Sequence, residues 1–205
     1  MYIIKQKPLT MSDEQWKANI TRSDRRQYLN TDYANWSMDV KSNAICKLKI
    51  TYDEDLWKEL YEIAQSLRYE NFHKILNLAI WPECDATKRL QDILSVFEND
   101  IDKYLFFMSP PMTMDDMIYP HRDPTRGTSI YLPIGPYGID YAPLEMYYDH
   151  DEYGLPENNS PTVWAWNTQC THAVFNLYQP RYNIQLGMNL PYQQVFEKYN
   201  DLFDI

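Results

Sequence analysis

A chain of 205 residues is long enough to bury a full core and short enough to favour one domain over two. Its 29 acidic residues outnumber 19 basic ones, and with no long basic run this disfavours a nucleic-acid partner held by phosphate neutralisation. No long apolar run occurs and the start, Met1-Tyr2-Ile3-Ile4-Lys5, carries no signal-peptide core, so neither membrane insertion nor export is expected.

Residues 1–10 read as a short strand ended by Pro8. Ser12-Asp13-Glu14-Gln15 fits a capping box, in which Ser12 accepts from first-turn amides and Gln15 reaches back, so a helix is expected to start there. The basic cluster Arg22-Ser23-Asp24-Arg25-Arg26 reads as a solvated helix face. Lys47-Leu48-Lys49-Ile50-Thr51-Tyr52 alternates like a half-exposed strand. Asp53 opens the clearest helix, with Leu56, Leu60, Ile63, Ala64 and Leu67 on one stripe that a sheet or another helix must cover. A second apolar run, 72–81, stops at Pro82. Thr87 is the expected N-cap of a further helix whose Leu90, Ile93, Leu94 and Phe97 share a face. The three cysteines, Cys46, Cys84 and Cys170, are odd in number and widely spaced, and read as reduced thiols of a cytoplasmic protein.

After Asp102 the texture changes to strand. Tyr104-Leu105-Phe106-Phe107-Met108 is a continuous apolar strand ended by Pro110-Pro111, Ile118-Tyr119-Pro120-His121 follows a loop, and 128–134 is a further strand after a turn at Gly127. Gly135-Pro136-Tyr137-Gly138 is a turn and 143–148 a strand. His150-Asp151-Glu152 falls in an acidic stretch that reads as an exposed loop. In the strand 162–166, Trp164 and Trp166 share a face and are expected in the core. The tail after Pro191, with Val195, Phe196, Tyr199, Leu202 and Phe203, reads as a short amphipathic helix that packs on the sheet or pairs two subunits.

One ordered set stands out in this half: His121-Arg122-Asp123, then His172, then Arg181. His121 and Asp123 are two residues apart, so on an extended strand both point to one side, and strands returning later can bring His172 beside them. Two imidazoles and one carboxylate suit non-haem Fe(II), because they fill three positions and leave others open for a bidentate co-substrate and O2. Leu177-Tyr178-Gln179-Pro180 reads as a turn that returns Arg181 toward His172. Alternation then sets Arg181, Asn183 and Gln185 on one face, and Tyr182, Ile184, Leu186 and Met188 on the other. A guanidinium on the polar face can grip a carboxylate through two parallel hydrogen bonds, as the distal carboxylate of 2-oxoglutarate would require. Tyr131 is a candidate second donor to that carboxylate, or simply a wall aromatic. His150-Asp151-Glu152 has the same H-x-acid form as the first pair but leaves little chain for strands before His172.

These residues, with the flanking Tyr119-Pro120 and Trp166-Asn167-Thr168, resemble the Fe(II)/2-oxoglutarate-dependent dioxygenases. The nearest likeness is to the aspartyl/asparaginyl β-hydroxylase and prolyl-hydroxylase-like branches, over roughly residues 103–190. The resemblance implies iron held by His121, Asp123 and His172, 2-oxoglutarate anchored by Arg181, O2 as oxidant, and hydroxylation as the reaction. The aspartyl β-hydroxylase branch typically lacks the carboxylate ligand that Asp123 offers, and the related halogenases leave that position open. AlkB-like nucleic-acid demethylases are similar too, but their second arginine would fall at Gly187.

The expected fold is α+β and mainly β: a double-stranded β-helix (jelly-roll, cupin-like) with N-terminal helices packed on one sheet. Residues 1–205 form one domain, with 1–102 mostly helical, 103–190 the double-stranded β-helix core and 191–205 a C-terminal tail. The expected substrate is a peptide side chain, an amino acid or a small metabolite. Two other readings remain open: a cupin-like metal site with non-oxidative chemistry, and a jelly-roll binding protein that does not turn over.

Overall fold

The computed structural model describes residues 45–73, 76–97, 99–109, 118–121, 127–138, 144–148, 151–154, 161–174, 180–188 and 190–204. The strand expected at 1–10, the capping box at 12–15 and the basic cluster at 22–26 lie outside them. So do Asp123, His150 and the turn at 177–179.

The described chain is mostly antiparallel sheet with three helices. Its strands are β1 (Ile45–Leu48), β2 (Glu70–His73), β3 (Leu76–Ile80), β4 (Ile101–Ser109), β5 (Ile118–His121) and β6 (Thr128–Pro133), then β7 (Leu144–Tyr148), β8 (Asp151–Gly154), β9 (Trp164–Asn167), β10 (Thr171–Val174), β11 (Arg181–Met188) and β12 (Phe203–Asp204). The helices are α1 (Glu54–Ser66), α2 (Asp85–Ile93) and α3 (Tyr192–Lys198). An eight-stranded sheet runs β12-β1-β9-β6-β11-β4-β3-β2, and a four-stranded sheet runs β5-β10-β7-β8.

Helix α1 forms where the sequence expects it. The Asp53 side chain accepts from the Leu56 N–H at 3.0 Å, and Glu54 and Asp55 sit in the first turn, where negative charge is favoured. Its buried stripe, Leu56, Trp57, Leu60 and Ala64, meets Ile130 and Leu132 of β6, Ile184 and Leu186 of β11, and Phe106 of β4 in one apolar cluster. The Trp57 indole N–H donates to the Pro133 carbonyl at 3.1 Å and fixes the helix to the end of β6.

The second helix starts earlier than expected. Cys84 occupies the N-cap, and Thr87 sits inside the first turn, where its hydroxyl accepts from the Cys84 N–H at 3.0 Å. Thr87 was legible as a cap because it does cap, but from within the helix.

Before residue 102 the described residues supply β1, β2 and β3 to the larger sheet beside helices α1 and α2, and the apolar run 72–81 contains most of a strand pair, β2 with β3. One expectation is corrected, the exposed loop around 151–154. The acidic segment at 151–154 is strand β8, paired with β7 through Tyr148↔Asp151. As an edge strand it tolerates charge, which guards an open edge against stray pairing. The tail helix spends its apolar face inside its own chain, where Tyr192, Val195 and Phe203 are buried in the main cluster, so that face packs on the sheet.

Two tests follow from this frame. Gly138 adopts φ 99°, and an added Cβ would lie 2.7 Å from the Pro161 Cβ and 2.9 Å from the Trp57 Cδ1. Gly138→Ala is therefore expected to cost about 2 kcal/mol, read as a lower denaturant midpoint at unchanged slope.

Asp100, just before β4, accepts from the Lys198 ammonium at 2.6 Å and from the Tyr199 hydroxyl, and these bonds hold its carboxyl below the usual carboxylate value. A lowered acid contributes stability that is present above the unfolded-state value near ~3.9 and lost as pH falls through the folded one. Asp100→Asn should thus melt earlier than the parent at pH 7 and show a flatter loss of Tm on acidification.

Burial pushes the Cys46 thiol up to about 11, so it stays protonated. Among the described residues no helix is long and apolar enough to cross a membrane.

Candidate functional site

Antiparallel sheets usually leave one face to water, yet β6 is buried along its whole length. One face of the large sheet belongs to the helix-backed cluster. Strand register puts Arg181, Asn183 and Gln185 of β11, Ser129 and Tyr131 of β6, Trp164 and Trp166 of β9 and Ser109 of β4 together on the other. All of these are buried, and one residue of the smaller sheet, His172, lies against this face, its ring 4.7 Å from that of Trp166.

This second face is a polar interior. Ser109 Oγ, Ser129 Oγ, both polar side-chain atoms of Asn183, Gln185 Oε1 and Trp166 Nε1 are buried with no hydrogen-bond partner among the described residues. A buried unsatisfied amide or hydroxyl costs roughly 1–3 kcal/mol, so a lining of this kind calls for a polar occupant or ordered water.

His172 is 2% exposed and sits on β10 as the register partner of His121 on β5. β5 is an edge strand, which is why Pro120, with no N–H for a ladder, can precede His121. The His172 Nδ1 lies 2.9 Å from the Cys170 carbonyl oxygen. A carbonyl only accepts, so Nδ1 carries the proton of this bond, and Nε2 is the nitrogen through which the ring would bind a metal.

Arg181 begins β11 and is 9% exposed. Its Nη2 donates to the Tyr131 hydroxyl at 2.6 Å, and its guanidinium carbon stands 5.0 Å from the centre of the Tyr131 ring. The Tyr131 ring is in turn 6.1 Å from that of Trp166, so contacts run unbroken from Arg181 through Tyr131 and Trp166 to His172.

Sequence reasoning named His172, Arg181 and Tyr131, and the fold joins them through Trp166, with Arg181 and Tyr131 on the larger sheet and His172 on the smaller. It brings His121 to the strand beside His172. Asp123 lies outside the described residues, and among those residues no three potential ligands form a metal-binding group. Trp166 is buried, as expected of a core residue, and stands on the polar interior face against His172 and Tyr131 rather than in the helix-backed cluster. Period-two alternation separated it from Ala165 but could not say which of the two sets meets the helices.

No protein-family model and no curated protein sequence matches the chain. Solved structures do. A Pseudomonas putida prolyl-4-hydroxylase superposes with a TM-score of 0.54 at 13% identity, over 74% of this chain and 96% of its own. A Trichoplax adhaerens prolyl hydroxylase, solved with a hypoxia inducible factor peptide fragment, gives 0.55 at 13% identity over 91% and 97%. The α-ketoglutarate-dependent epimerase SnoN from nogalamycin biosynthesis gives 0.55 at 9% identity over 83% and 82%. At these identities the likeness is one of fold, shared with these enzymes.

Proposed function

We propose that this chain is an Fe(II)/2-oxoglutarate-dependent oxygenase built on a double-stranded β-helix, and that it hydroxylates a peptide side chain, an amino acid or a small metabolite. The observation that carries the reading is the buried Arg181–Tyr131 pair, linked through the Trp166 ring to His172 of the smaller sheet, whose Nδ1 donates to the Cys170 carbonyl. The fold shared with such oxygenases supports it, and so does the polar lining that awaits a polar occupant.

In this reading His121, Asp123 and His172 hold the iron. Arg181 takes the distal carboxylate of 2-oxoglutarate in a charge-assisted pair, with Tyr131 as second donor. When bound, the iron activates O2 for oxidation of a C–H bond as 2-oxoglutarate loses CO2. The chain's own residues orient and exclude: the Cys170 carbonyl fixes the His172 ring, Tyr131 fixes the guanidinium fork, and the Trp166 ring walls the space between them from water. One structural neighbour was solved with a peptide fragment and SnoN with nogalamycin RO, which keeps both peptide and small-molecule substrates within the proposal. The reduced thiols suit the cytoplasm, and residues 1–205 are taken as one domain.

The test is an anaerobic titration of the metal-free protein. Fe(II) and 2-oxoglutarate together should give a weak visible charge-transfer band that neither gives alone, and air should then release succinate. A chain that binds Fe(II) but gives neither the band nor succinate would be a metal protein of another class. Products heavier by one oxygen atom, sought among candidate peptides and metabolites, would then identify the substrate.

A further inference from the structure

The proposed iron site depends on the tautomer of His172, and that tautomer is set by a carbonyl rather than by a side chain. The Cys170 carbonyl that meets Nδ1 ends the tight turn between β9 and β10. Asn167, the last residue of β9, accepts two hydrogen bonds within it. Its side-chain Oδ1 accepts from the Gln169 N–H at 3.1 Å, and its main-chain carbonyl accepts from the Cys170 N–H, also at 3.1 Å. The first is an Asx turn, in which a side-chain oxygen does the work of a backbone acceptor.

Asn167 is fully buried and pairs in register with Thr128, whereas Trp166, beside it in sequence, stacks on His172. It therefore stands on the face opposite the polar interior. Its amide is in no position to meet a bound substrate, and whatever it contributes must pass through the turn. Nothing about the spacing of H-x-D, His and Arg singles it out.

We infer that Asn167 is a positioning residue for the proposed metal centre: its side chain holds the 168–170 turn so that the Cys170 carbonyl keeps the proton on Nδ1 and the lone pair on Nε2 of His172. The inference rests on the proposed function for its purpose, but its physical content is a property of the metal-free protein.

Long-range proton–nitrogen NMR of the full chain, with nitrogen-15 in its histidines, reads that content directly, and His172→Gln assigns the signal. The parent should show a protonated Nδ1 and a pyridine-like Nε2. Asn167→Ala should give a mixture of tautomers and an Fe(II) affinity lower by about 10–100-fold, the usual effect of losing an outer-shell partner. Asn167→Asp keeps the accepting oxygen and should restore the parent tautomer.

If Asn167→Ala does not fold, Asn167→Leu, which fills the volume without an acceptor, takes its place. Parent-like tautomer and affinity in either variant would overturn the inference. Failure of both to fold would also overturn it, by assigning Asn167 to stability alone. If the parent binds no Fe(II) yet shows the fixed tautomer and its loss in Asn167→Ala, the oxygenase reading fails and the positioning role stands.

Discussion

His172→Ala is expected to abolish Fe(II) binding at micromolar metal and to lower 2-oxoglutarate-dependent succinate release by roughly a thousandfold or more. Losing a ligand should exceed the 10–100-fold effect of losing its outer-shell partner. The ring it removes is buried against Trp166 and hydrogen-bonded to the Cys170 carbonyl, so a stability control is needed. His172→Gln, closer in volume, serves that purpose. It should fold and melt near the parent while remaining inactive. Iron retained in both variants at parent affinity would remove His172 from the proposed metal site.

Arg181→Leu is expected to leave iron binding intact and to weaken 2-oxoglutarate instead. Truncating one member of a buried, hydrogen-bonded charge pair costs about 2–5 kcal/mol, or about 30-fold to a few thousandfold in Kd. The guanidinium is already held by Tyr131, so little of its freedom would be lost when a carboxylate arrives, and most of the pairing energy should appear as affinity. Arg181→Lys keeps the charge but loses the planar fork, and should fall between parent and Leu. The measurement is the 2-oxoglutarate dependence of the visible band with iron present. A Kd within threefold of the parent in Arg181→Leu would mean that the co-substrate is anchored elsewhere. The two variants separate cleanly, since one loses the metal and the other its partner ligand.

Much of this site was legible because strand periodicity is short and strict. Once β11 is recognised, Arg181, Asn183 and Gln185 must share a face, and the observed register agrees. Tyr131 could be paired with Arg181 for the same reason. What could not be read was register between distant strands. The sequence shows His121 and His172 as two histidines in an order, and only the β5–β10 pairing makes them neighbours. Which buried face Trp166 joins could not be read, because both faces of β9 are buried, which removes the polar-against-apolar contrast that normally tells inside from outside. Strand β8 was missed because Asp151 and Glu152 suit an edge strand as well as a loop. Asn167 left no mark, since its role lies in a turn that local composition does not announce.

The position of β1 carries a cost in time rather than in energy. It lies between β9 and β12, so Ile45–Leu48 is flanked by partners that the ribosome makes only near the end of the described chain. Pairings of such long sequence separation are slow to form. The strand bearing Trp166 gains its outer neighbour only when it meets β1, the earliest described strand, and the far edge of β1 is closed only by β12, so nascent chains should stay vulnerable to proteolysis until residues near Phe203 have emerged.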